Sequence, residues 1–73
     1  MTLEEKLNLI ADTIDVEKEK IKADTILLSL EEWDSMAKIS IIAMLDKKFK
    51  KVLDMEQLEE IKSVQDIVNY MAE

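Results

Sequence analysis

The chain has 73 residues, enough for one domain. A domain this short buries only about 60 % of the surface its unfolded chain exposes. With no Cys and no His, the chain has no disulfides, no zinc site of the usual ligand types and no Cys–His or Ser–His nucleophilic pair, so an independent enzyme is not expected. A net charge of −7 argues against general nucleic-acid binding.

Hydrophobic residues at 48 % and charged residues at 37 % are a globular balance, and aromatics at 4 % leave the core to Ile, Leu, Val and Met. Neither Gly nor Pro occurs. Tight β-hairpins lean on Gly for positive φ, so the expected fold is all-α, with residues 1–73 as a single domain. No stretch approaches the roughly 18 apolar residues of a membrane span, and MTLEEKL lacks the regions of a signal peptide. Cytoplasmic residence is expected.

Without Gly or Pro, helix boundaries must be read from capping residues. Thr2 and Glu5 have the spacing of a capping box, and Leu3, Leu7, Ile10 and Ile14 form one apolar stripe, which predicts helix 1 over about 2–14. A connection of about twenty residues follows. Its Ile21, Ile26, Leu27, Leu28 and Leu30 are too irregular for a helix and are expected to pin a loop to the core.

Asp34 is a good N-cap for helix 2, predicted over about 35–50. Met36, Ile39, Ile42, Ala43, Leu45 and Phe49 give it the strongest helical period in the chain. Asp54 with Gln57 starts a short helix 3 reaching Ile61, and Ser63 with Asp66 caps helix 4, with Val64, Ile67, Val68 and Met71 apolar. Met36, Met44, Met55 and Met71 are expected in the core or at its edge. The alternative is that adaptable Met helps a small bundle open around a flexible chain.

The stretch Trp33-Asp34-Ser35-Met36 reads in two ways. Asp and Ser at a helix start satisfy orphan backbone amides, and a cap needs nothing more. A helix N-terminus also presents free amides and the positive end of the helix dipole, so a serine in the first turn would place a phosphodiester in a favourable field. No histidine is present to take the serine proton, so a separate transferase would have to act, with the neighbouring acid helping to hold a metal or orient the hydroxyl. Trp33 is expected to anchor the loop against helix 2, with partner contact as the other reading.

Asp34-Ser35-Met36 at the start of helix 2 resembles the Asp-Ser-Leu attachment motif of acyl carrier proteins, with Met in place of Leu. The resemblance spans essentially the whole chain: the amphipathic first helix, the long loop, Phe49 near the end of helix 2, and Ile61-Lys62-Ser63-Val64-Gln65-Asp66 leading into a last helix with Tyr70 near its end. It implies a four-helix bundle with a long first loop and a short helix 3. It also implies a 4′-phosphopantetheine arm on Ser35, taken from coenzyme A by a phosphopantetheinyl transferase, with Asp34 and Met36 flanking it. The monomeric carrier would hold acyl groups as a thioester and present them to acyl-transferring or acyl-modifying enzymes, itself catalysing nothing. Family likeness and periodicity make Ile39, Ile42, Leu45, Ile61 and Ile67 candidates to line the cargo, with Trp33 and Lys38 as partner contacts.

Two departures stand out. Glu32 occupies a position where many members have Gly, followed by the bulkier Trp33. Helix 2 is usually rich in acids in housekeeping fatty-acid carriers. Residues 34–51 hold Lys38, Lys47, Lys48, Lys50 and Lys51 against Asp34 and Asp46, so this segment is net +3 and the remainder −10. Partner recognition depends on charge complementarity, so a specialised acyl, aminoacyl or polyketide pathway is expected rather than the main fatty-acid synthase. The lysines at the helix end also complement the C-terminal dipole. The competing hypothesis is an unmodified helical interaction module.

Overall fold

The computed structural model describes residues 1–71. Four α-helices lie among them: α1 (Leu3–Ile14), α2 (Ser35–Phe49), α3 (Met55–Glu59) and α4 (Val64–Tyr70). This is the helical bundle the sequence predicts. α1 packs on α2 and α4, and α2 packs on α3.

Each helix starts where a cap permits it. Thr2 and Glu5 form a reciprocal box: the Glu5 amide donates to Thr2 Oγ1 at 3.1 Å and the Thr2 amide to Glu5 Oε1 at 2.9 Å. Asp54 with Gln57 and Ser63 with Asp66 repeat the arrangement at α3 and α4. Asp34 caps α2 with a single bond, since Ala37 stands where a reciprocating Glu or Gln would be.

Helix ends normally use Gly in the left-handed region. Here Asp15 (φ 58°) and Lys50 (φ 57°) take that conformation. After α1 the Val16 amide donates to the Ala11 carbonyl at 2.9 Å and the Asp15 amide to Asp12 at 3.4 Å, a Schellman motif with Val16 and Ala11 both buried.

The connection from α1 to α2 is not structureless. It holds two 3₁₀ turns, Lys18–Lys20 and Leu27–Ser29, and buries Val16, Ile21 and Leu27. Each such burial is worth about 1.5–3 kcal/mol, enough to hold the segment down. Leu30 is half-buried, whereas Ile26 and Leu28 point outward, contrary to expectation. The backbone adds a second attachment. Leu27 donates to the Lys62 carbonyl, while Val64 and Gln65, the first amides of α4, donate to the carbonyls of Thr25 and Ala23, all at 2.9 Å. Orphan donors of a helix terminus are thus satisfied by a distant loop.

Helix 2 corrects the predicted stripe. Its buried face is Ala37, Ile41, Met44 and Leu45, with Ile42 and Phe49 half-buried. Met36 and Ile39 are 71 % and 52 % exposed, and Ala43 is exposed beside them. Apolar residues lie nearly all round this helix, so two stripes fit its period and the wrong one reads as stronger. Of the methionines expected in the core or at its edge, Met44 and Met71 are buried, whereas Met55 is 36 % exposed and Met36, at 71 %, lies well outside. Leu3 is also exposed, at the fraying start of α1. The helix bounds differ from prediction by a residue or two at α1, α2 and α3, a normal fraying margin.

Candidate functional site

Asp34 Oδ1 accepts the Ala37 amide at 2.9 Å, and the Asp34 carbonyl accepts the Lys38 amide at 3.0 Å. Two turn bonds approach this point: Trp33 donates to Leu30 at 3.2 Å and Asp34 to Glu32 at 3.0 Å. The backbone of Asp34 is therefore fixed on both sides. Ser35, the first residue of α2, is exposed, and its hydroxyl makes no hydrogen bond to the described residues. The amides of Ser35 and Met36 likewise have no partner among the described residues.

The electrostatics of this terminus differ from its neighbours. α1, α3 and α4 each carry an acid in the first turn, which neutralises the local dipole, whereas α2 carries none. The fifteen-residue α2 thus presents free donors and the positive end of its dipole at the exposed serine, offset only by the capping Asp34 carboxylate. A phosphodiester on Ser35 Oγ would find both. The residues present fit such a group.

Two concavities lie near the start of α2. A groove of about 300 Å³ runs between the ends of α1 and the start of α2, lined by Thr13, Asp15, Glu32, Asp34, Met36 and Ser40 among others. A smaller cleft of about 100 Å³ lies toward α3, lined by Leu28, Trp33, Lys38, Leu58, Glu59, Ile61 and Lys62. Trp33, 9 % exposed, forms a wall of this cleft and belongs to the core, the anchoring position expected for it. Glu32, placed where the family often has Gly, reaches Lys20 at 3.4 Å across the loop.

The residues named from sequence separate into three groups. Trp33, Lys38 and Ile61 meet in the small cleft toward α3. Leu45 and Ile67 are wholly buried core residues, and Ile42 is half-buried at its edge. Ile39 points outward and lines neither of these two concavities. Leu28 and Leu58, which sequence reasoning did not connect to the site, complete the cleft. Their neighbourhood follows from the pairing of the loop with Lys62, and no local pattern announces it.

Glu5 and Asp66 carry the resolved titration shifts. Both carboxyls lie below their ordinary range, Glu5 because it accepts the Thr2 amide, Asp66 because it accepts the Lys62 and Ser63 amides at 2.9 and 3.2 Å. Both serve caps remote from Ser35. Among the described residues no group of acids is arranged to hold a metal ion, and no helix is long and apolar enough to cross a membrane.

A comparison with solved structures found no match. The family model described as "Phosphopantetheine attachment site" matches residues 7–71. Its span runs from within α1 to the end of α4 and includes the exposed serine at the start of α2. The chain therefore belongs to the phosphopantetheine-binding carriers, proteins that bear a covalent 4′-phosphopantetheine group and are not themselves enzymes.

Proposed function

We propose that Ser35 is the attachment site, and that residues 1–73 form one acyl-carrier domain working in a specialised acyl pathway of the cytoplasm. The observation that carries this reading is the first turn of α2: a solvent-facing hydroxyl and two amides without partners among the described residues, with no acid beyond the capping Asp34. The arm, once attached, supplies a thiol that holds an acyl group as a thioester. The protein's own residues do the rest. The amides of Ser35 and Met36 and the dipole of α2 stabilise the phosphodiester charge. Asp34 orients the first turn. Trp33, Leu28, Leu58 and Ile61 offer the nearest apolar cover for a cargo.

A phosphopantetheinyl transferase must take the Ser35 proton, since this chain has no histidine or cysteine. Incubation with coenzyme A and a promiscuous transferase, read by intact mass, tests the assignment. One phosphopantetheine should be gained, and none in a folded Ser35→Ala variant. No gain with a competent control carrier returns the chain to the unmodified-module reading.

The pathway is inferred from charge. Within α2, Asp46 is the single acid against Lys38, Lys47 and Lys48. An enzyme built to receive an acid-rich helix would repel these lysines. The loaded protein should therefore support chain elongation by a housekeeping fatty-acid synthase poorly compared with an acid-rich carrier. Equal support would place it in ordinary fatty-acid synthesis.

A further inference from the structure

The outward face of α2 begins at the exposed serine and is left uncovered by the fold. Met36, Ile39 and Ala43, at spacings of three and four, share that face, with the first two 71 % and 52 % exposed. Large apolar side chains rarely line up on a solvent-facing helix unless something covers them. Lys47 continues the same line, and Lys48, Lys50 and Lys51 cluster at the end of the helix, all four exposed. Among the described residues none of the four forms an ion pair. Asp46 is the one acid on this face, so the strip passes from apolar to basic along its length in a chain of net charge −7.

Helix-dipole complementation accounts for a lysine or two in a last turn. It does not account for an apolar ridge leading to them from the serine. We infer that this strip is a docking surface for a folded enzyme that presents an apolar hollow bordered by Asp and Glu. The inference rests on the carrier reading and deepens it by naming the partner's surface chemistry. The ridge supplies buried contact area and the lysines supply steering and orientation, so a correctly docked partner meets Ser35 at one end and the lysines at the other. A partner with a basic border is repelled by the same residues.

A photo-crosslinking side chain placed at position 39 of the full-length protein, irradiated in its native cell, tests this, with the same group at exposed position 4 of α1 as control. The expected capture is specific to position 39 and maps to a partner segment with excess Asp and Glu. Binding of that purified partner should weaken roughly tenfold on Lys47→Glu/Lys50→Glu and with added salt. A Lys47→Gln/Lys50→Gln variant should lie between, and gives the answer if the reversed variant is misfolded by circular dichroism. A neutral or basic contact segment, affinity indifferent to the lysines, capture of a second copy or of lipid, or no capture above control would each overturn the inference. Intact mass of the same protein separates the two levels. An arm present without an acidic partner removes only the docking surface, whereas a missing arm removes the carrier reading on which it rests.

Discussion

Ala37 donates its amide to the Asp34 carboxylate across 2.9 Å, and this is the one side-chain bond that starts α2. The residue beside the proposed attachment serine is thus a structural cap first, and any help it gives a transferase must be measured apart from that duty. Asp34→Ala should lose about 1 kcal/mol, a fall of several degrees in thermal midpoint for a domain of this size. Asp34→Asn keeps the acceptor and should unfold within about 0.5 kcal/mol of the parent. If the charge also serves the transferase, Asp34→Asn will gain phosphopantetheine more slowly while folding normally. Equal loading rates would leave Asp34 a cap alone.

The orientation of α2 can be checked by a pair of truncations. Ile41 is wholly buried and Ile39 half-exposed. Ile41→Ala should cost about 2–5 kcal/mol in denaturant unfolding, close to the whole stability of so small a domain. Ile39→Ala should change stability by less than about 0.5 kcal/mol. Similar losses at both positions would mean that the helix is rotated from the arrangement described.

Lys50 ends α2 at φ 57°, where a side chain with a Cβ is disfavoured and Gly is not. Lys50→Gly should therefore stabilise the protein by about 0.5–1 kcal/mol, after allowance for the added freedom of its unfolded chain. Thermal unfolding would show a midpoint raised by a few degrees. A lower midpoint would show that the Lys50 side chain contributes more than its backbone strain costs.

Asp66 links stability to acidity. Its folded pKa lies below the ordinary 3.8 because backbone amides of Lys62 and Ser63 donate to the ionised form. The stabilisation is fully present above the unfolded value and is lost as pH falls through the folded value, so the window lies below about pH 4. Protonation of other carboxylates relieves repulsion in this acidic chain at the same time. The useful measurement is therefore the difference between parent and Asp66→Asn across that range, which should shrink as pH falls. A difference independent of pH would show that the carboxylate charge contributes nothing.

The helical class, the element order and the caps are legible in the sequence because each rests on short-range chemistry. Thr2 with Glu5, Asp54 with Gln57 and Ser63 with Asp66 need only their own neighbours, and all three boxes form. Ser35 as an exposed first-turn residue follows from Asp34 in the same way. The phase of α2 does not. Ile39, Ile41 and Ile42 are chemically alike, and only packing against α1 and α3 selects which faces inward. The loop misled for the converse reason. Leu27 is fully buried and Leu28 is 75 % exposed, a division set by the backbone bond from Leu27 to Lys62 that no local pattern carries.

That bond and its two companions, from Val64 to Thr25 and Gln65 to Ala23, join segments about half the chain apart. First-turn amides of a helix ordinarily exchange with deuterium quickly. Those of Val64 and Gln65 should instead be protected, and should open together with the loop as one unit. Such distant partners can meet only after much of the chain is ordered, so α4 completes its first turn late in folding. Anything that pulls on the middle of this protein therefore loosens its final helix as well.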